Sequence, residues 1–150
     1  MEGRILIQET DFQKARKKIN EAKKAGKKVV FSSNDDELNR KILEKENIDI
    51  LLINLSGRKD RMKQRDSGFN HVLARAAKTK NVAIGINLDE VLSARGKEKA
   101  EIISRIRQNI KLCNKNKLKM KFISSEKQNN YNLKSLGFVL GMPTWMTKEI

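Results

Sequence analysis

The sequence predicts an α/β fold with a parallel sheet, and three observations carry that reading. Short apolar runs recur along the 150 residues, and the segments between them place apolar side chains at helical spacing. The run Ile48-Asp49-Ile50-Leu51-Leu52-Ile53-Asn54-Leu55 is also too continuously apolar for a strand with one wet face, which suits a parallel strand covered on both sides. Strand and helix signals alternate at roughly 25–35 residues, the rhythm of right-handed βαβ units. An open doubly wound sheet and part of a (β/α) barrel both satisfy this pattern. Either one places functional residues beyond the carboxyl ends of the strands.

Each element has its own local signal. Arg4-Ile5-Leu6-Ile7-Gln8 reads as a strand, and Thr10 or Asp11 then caps a helix with Phe12, Ala15, Ile19 and Ala22 on one face. Gly26 supplies the stop. Val29-Val30-Phe31 is a β-branched and aromatic run bounded by Ser32-Ser33-Asn34 and reads as a second strand. Asn34 is the expected cap of the next helix, whose first turn, Asp35-Asp36-Glu37, puts negative charge at the positive end of the dipole. Leu38, Ile42 and Leu43 turn inward from it. The third strand spans Ile48 to Leu55, and the segment from Ser56 to Gly68 is almost free of apolar residues.

A helix follows with Phe69, Val72, Leu73, Ala76 and Ala77 on one face, then a strand Val82-Ala83-Ile84-Gly85-Ile86-Asn87. Lys97 to Lys117 forms a long helix with Ala100, Ile103, Ile106, Ile110 and Cys113 inward, and Met120-Lys121-Phe122-Ile123-Ser124 is the fifth strand. From Asn132 a helix runs through Leu136 and Leu140 to a stop at Gly141, and Pro143 starts a last turn. With no Pro/Ser-rich linker, repeat or low-complexity tract, residues 1–150 read as a single domain.

Composition narrows the function. Thirty-three Lys and Arg against 18 Asp and Glu give a formal charge of +15, and a polyanion is the partner that would relieve that self-repulsion. Aromatic residues make up only 5% of the chain, which disfavours a platform for stacked bases and favours contacts to phosphate. Cys113 is the one cysteine and His71 the one histidine, so intramolecular disulfides, multi-thiolate zinc sites and two-histidine metal centres are excluded. No apolar signal region opens the chain and no stretch approaches the ~18 apolar residues of a membrane span, so a cytoplasmic protein without a membrane partner is expected.

The densest cationic feature is the loop after the third strand, where Arg58, Lys59, Arg61, Lys63 and Arg65 accompany Asp60 and Asp66. It leads to the amino end of the next helix, where free N–H groups favour anions. A solvated charged loop is the plain alternative. Two further basic stretches run along the first helix, from Lys14 to Lys28, and from Ile102 to Ser125, which includes Arg105 and Arg107. His71 lies off the apolar face, and with no second histidine or carboxylate pair beside it a catalytic base is not expected.

Leu55-Ser56-Gly57-Arg58-Lys59-Asp60, Asp66 to Ala77, Asn81 to Asn87, Phe122-Ile123-Ser124-Ser125 and Leu136 to Met142 together resemble protein component 3 of archaeal and eukaryotic ribonuclease P, over about two-thirds of the chain. Two departures accompany the resemblance: a shorter N-terminal portion, and Arg61 to Arg65, which sits like an insertion in its loop. The resemblance implies a (β/α) barrel-like parallel sheet, here shortened or incompletely closed, related to the polymerase-and-histidinol-phosphatase barrels but without their metals. It implies a non-catalytic subunit that assists a catalytic RNA in removing the 5′ leader of precursor tRNA. No catalytic residue, metal or cofactor is then expected on the protein, and Mg²⁺ belongs to the active site of the RNA. Implied partners are the ribonuclease P RNA, protein component 2 and the other protein subunits, with precursor tRNA as substrate of the complex. Arg58, Lys59, Arg61, Lys63, Arg65, Asn70, His71, Arg75, Arg105 and Arg107 are the candidate RNA contacts. A ribosomal or ribosome-assembly RNA-binding protein and a degenerate metal-dependent hydrolase of the same barrel family are the alternatives.

Overall fold

The computed structural model describes residues 3–150. Its elements are β1 (Arg4–Gln8), α1 (Phe12–Lys24), β2 (Lys28–Ser32), α2 (Asp36–Lys45), β3 (Ile50–Ile53), α3 (His71–Lys80), β4 (Ala83–Asn87), α4 (Leu88–Ser93), α5 (Gly96–Asn116), β5 (Met120–Ile123), α6 (Asn130–Leu140) and α7 (Thr144–Thr147). The five strands are parallel and lie in chain order, β1-β2-β3-β4-β5. Consecutive order with crossovers of one hand puts the connecting helices on one face, and α1, α2, α3 and α5 do pack in that succession. This is barrel-type winding, so the doubly wound alternative is set aside.

Alternation along each strand divides the core. Ile7, Val29, Phe31, Leu51, Ile53, Ile84, Ile86, Met120 and Phe122 face the helices, where they meet Ile19, Ile42, Leu73, Ile106 and Cys113. Val30, Ile50, Leu52 and Ile123 face the other way and are buried as a second cluster with Ala83. Among the described residues no helix side chain belongs to that cluster, so the curvature of the sheet buries it. Arg4 on β1 lines one hollow with Lys121 of β5 and another with Ile123, which brings the two edge strands toward each other across the concave face. A sheet curled this far fills its interior with its own side chains, as small barrels do. Gly85 marks how tight the interior is, since a Cβ there would lie 3.1 Å from both Ile50 Cγ2 and Leu52 Cδ1. Among the described residues β1 and β5 do not pair, so the sheet is barrel-like and unclosed.

Several boundaries differ from the sequence reading for local reasons. Asp11, not Thr10, caps α1 by accepting from Lys14 N, and Asp35 replaces Asn34 as the cap of α2, accepting from Glu37 N and Leu38 N. Asn34 is left free to meet Asn54 at the carboxyl ends of the strands. α3 starts at His71 because Asn70 caps it, and this turns Val72 out to 51% exposure while Ala74 is buried. α5 is rotated from the expected phase: Ile102 is buried, Ile103 is half-buried and Ala100 lies in solvent. α6 begins at Asn130, two residues early, on an Asn129 cap. α4 was not foreseen, being too short to show a helical period.

Cys113 is fully buried, and burial pushes its thiol up to about 12. Because the thiolate is the reactive form, the native protein should resist an aromatic disulfide reagent at pH 8 and react only once unfolded. Rapid labelling of the native chain would contradict this placement.

Candidate functional site

The loop from Asn54 to Asn70 leaves the carboxyl end of β3, and two arginines hold it from inside. Arg58 doubles back so that its Nε donates to Asn54 O at 2.7 Å. Its two terminal nitrogens grip the Asp36 carboxylate at 2.9 Å each, and Nη1 also reaches Asp66 at 3.2 Å. The side chain is 10% exposed. Burial alone would lower the pKa of this guanidinium, but Asp36 and Asp66 outweigh it and hold the pKa above the ordinary value. Gly68 is needed where the loop passes this pair: its φ is +67°, and a Cβ would sit 2.5 Å from Arg58 Nη2 and 2.9 Å from Ile53 Cγ2.

Arg105 performs the second fixation from α5. Its side chain is 2% exposed, and it donates to Leu55 O at 2.9 Å, Arg58 O at 2.8 Å and Asp60 Oδ1 at 3.2 Å. Asp60 Oδ1 also accepts from Asp66 N at 2.8 Å, and this bond, followed by the one from Arg105, draws the carboxyl below its usual range. Asn109, one turn along the same buried stripe, donates to Ser67 O at 3.1 Å, and Gln108 reaches Ser67 Oγ at 3.1 Å. Glu90 of α4 accepts from Leu55 N at 2.8 Å, and Glu98 accepts from Ser56 Oγ at 2.7 Å.

This bracing sorts the ten candidate residues. Arg105, a candidate RNA contact in the basic stretch from Ile102, is instead buried against backbone carbonyls; Arg58 is likewise committed to two aspartates, so neither presents a free charge. Asn70 spends its side-chain oxygen on Leu73 N at 3.0 Å. Lys59, Arg61, Lys63 and Arg65 are exposed and, among the described residues, none of them is in an ion pair. The stretch Arg61 to Gln64 closes as a tight turn through Arg61 N to Gln64 O at 2.8 Å and the reciprocal bond at 3.2 Å, with Met62 at its tip. His71, Arg75 and Arg107 are exposed on α3 and α5. A hollow of about 400 Å³ opens between this loop and α2, lined by Lys59, Arg61, Arg65 and Arg40 against Asp36 and Asp66.

Sequence reading missed the partners that organise the loop: Asp36, Asp60, Asp66, Glu90, Glu98 and Asn109. One signal was available. Ile102, Arg105, Ile106, Asn109, Ile110 and Cys113 follow the 3–4 spacing of an inward stripe, which places Arg105 and Asn109 inside rather than among solvated charges.

Beside the loop, the strand ends carry a neutral ladder in which Asn54 Nδ2 donates to Ser32 Oγ at 3.0 Å and Asn87 Nδ2 donates to Asn54 Oδ1 at 3.0 Å. Among the described residues no three His, Cys, Asp or Glu side chains converge as a metal site. No helix there is long and apolar enough to cross a membrane. The site thus offers a braced loop with exposed cations on its outer side and an amide ladder at the strand ends.

Comparison with known proteins places the chain in a family. A family model described as RNase P subunit p30 matches residues 3–147. A relative from Methanococcus maripaludis, named Ribonuclease P protein component 3, is 30% identical over 141 residues, covering 89% of this chain and 58% of its own. One of the same name from Methanothermobacter thermautotrophicus is 27% identical over 138 residues, covering 92% and 54%. A chain in a cryo-EM structure of archaeal ribonuclease P with mature tRNA superposes with a TM-score of 0.78 at 25% identity, over 98% of this chain and 63% of that one. The chain therefore spans between half and two-thirds of the length of these relatives.

Proposed function

The chain belongs to the RNase P subunit p30 family, and from that premise we propose that it is a protein subunit of ribonuclease P that binds and supports the catalytic RNA in removing the 5′ leader of precursor tRNA. The observation that carries this reading is the braced loop after β3, on which Lys59, Arg61, Lys63 and Arg65 are exposed and, among the described residues, none is in an ion pair. Phosphate contacts of this kind position a protein on RNA without reading sequence. His71, Arg75 and Arg107, exposed on α3 and α5, are further candidate contacts in this reading. Protein component 2 and the other protein subunits are the protein partners in this reading. The chain works in the cytoplasm, Mg²⁺ acts at the active site of the RNA, and the protein contributes no catalytic group.

Two measurements test the proposal. Pull-down of the tagged chain followed by RNA sequencing should enrich ribonuclease P RNA, and enrichment of ribosomal RNA instead would support the ribosome-assembly alternative. The purified chain alone should leave precursor tRNA uncut at any Mg²⁺ concentration. Specific leader cleavage by RNA-free protein that survives stringent purification would show that the chain has chemistry of its own.

A further inference from the structure

The end of the sheet opposite the loop carries a second concentration of positive charge that the first reading leaves unused. The register sets Arg4 of β1 beside Lys28 of β2 on the concave face, and Lys121 of β5 faces them across the curl. These three line a hollow of about 220 Å³ together with Lys78, Lys117 and Lys119, and among the described residues the one carboxylate in its lining is Asp49. Asp49 is already engaged, accepting from Val29 N at 2.7 Å. Lys119 pairs with Glu149 at 3.3 Å, Lys117 lies over the Trp145 ring, and Lys78 donates to Lys117 O. Arg4, Lys28 and Lys121 have no carboxylate partner among the described residues, although Lys121 donates to the Glu149 carbonyl.

Like charges held side by side repel, and the effect registers on Lys121. Burial and then Arg4 lower its pKa; Lys119 and Lys28 add to this while Glu149 opposes it. The fold thus keeps an unfavourable cluster that a bound anion would relieve. We propose that the hollow formed by Arg4, Lys28 and Lys121 is a second RNA-backbone site, separate from the loop after β3, so that one chain grips two RNA segments at opposite ends of its sheet.

The inference rests on the reading of the chain as an RNA-binding ribonuclease P subunit. The two sites are separate because β3 lies between them: four residues at about 3.3 Å each are roughly 13 Å of strand. A phosphodiester is favoured over an acidic protein segment by the apolar lining. Ile50, Val82 and Leu118 are already buried, so the hollow offers little of the apolar area that anchors the centre of a protein interface.

The test uses the full chain and a transcript of the ribonuclease P RNA. The triple variant Arg4→Gln, Lys28→Gln, Lys121→Gln should unfold at the same temperature as the unaltered chain or higher, since repulsion is removed. The salt dependence of its RNA affinity should flatten by about 2 to 3 in log–log slope, from 0.7–0.9 per lost phosphate contact. Photo-crosslinks from a benzophenone residue at position 28 should map to a different RNA segment from those at position 63. An unchanged slope beside a flattened slope for the variant Lys59→Gln, Arg61→Gln, Lys63→Gln, Arg65→Gln would overturn the second site and leave the proposed function standing. Absence of salt-dependent binding by the unaltered chain would instead overturn the proposed function. Protection of position 28 by polyglutamate and not by RNA would assign the hollow to an acidic protein and defeat the proposal. If the triple variant unfolds early, the double variant Arg4→Gln, Lys28→Gln leaves the Glu149 contact in place and should flatten the slope by about 1.5; early unfolding of this one too would make the cluster structural and sink the inference.

Discussion

Replacing Arg105 with methionine should lower stability by about 3 kcal/mol, the largest effect expected of any single substitution in the loop region. Methionine keeps most of the side-chain volume, so the loss isolates the guanidinium. Two carbonyls, Leu55 O and Arg58 O, lose a charged donor at 2.9 and 2.8 Å, and hydrogen bonds to charged groups contribute roughly 1.5–3 kcal/mol each. Relief from burying a charge offsets part of this, and Asp60, whose side chain is 35% exposed, regains water. For a chain of this length the melting temperature should fall by roughly 6–12 °C. Arg105→Lys should recover only part of it, because a point charge cannot span three acceptors as a planar fork does. Arg107→Gln, two residues away and exposed, should stay within about 0.5 kcal/mol of the unaltered protein. Thermal unfolding followed by circular dichroism measures all three, and equal melting temperatures for the Arg105 and Arg107 variants would refute the bracing role.

The quadruple variant Lys59→Gln, Arg61→Gln, Lys63→Gln, Arg65→Gln should do the opposite, leaving the fold nearly intact and removing RNA affinity. Each phosphate contact contributes about 0.7–0.9 to the log–log salt slope. At 0.15 M salt four contacts correspond to roughly 10²–10³-fold in binding. Arg58 is left out because its charge belongs to Asp36 and Asp66, and altering it would mix folding with binding. Removing the same charge from α1, through Lys14→Gln, Lys17→Gln, Lys23→Gln and Lys24→Gln, gives the comparison. Reconstituted leader cleavage near physiological salt should drop for the loop variant and much less for the α1 variant. Equal losses would mean that only net charge matters, and full activity of the loop variant would remove these four residues from the interface.

The sequence disclosed architecture more readily than site. Strand runs and helix stripes depend on periodicity, which local chain geometry enforces, so β1 through β5 are legible within a residue or two. Barrel-type winding was legible only through the family resemblance, because strand order is a tertiary property and the same βαβ rhythm serves either topology. Charged residues were harder still. Arg58 and Lys59 are adjacent and equally basic, yet one is clamped by Asp36 from a helix 22 positions earlier and the other is in solvent. Asp36 looked like a complement to a helix dipole, which it also is, and nothing local announced its second partner. Arg105 betrays itself only through the phase of α5, and one residue of phase error puts it outside. α4 left no periodic trace, although its Glu90 ties down the first residues of the loop.

Because every strand of this sheet pairs with the one made just before it, the structure suits assembly during synthesis. Pairing β2 with β1 requires no residue beyond Ser32, β3 adds to an edge already present, and no early segment waits for a distant one to complete its hydrogen bonds. Pairing each strand with its predecessor keeps the loops to be closed shorter than an order that skips a strand would, which limits the entropy cost of each closure, and domains form in the order in which the ribosome releases them. The exception is the bracing of the loop, where Arg105 reaches back 50 residues to Leu55. On a translating ribosome the sheet can therefore grow before the loop after β3 is fixed, and the loop acquires its shape only when α5 emerges.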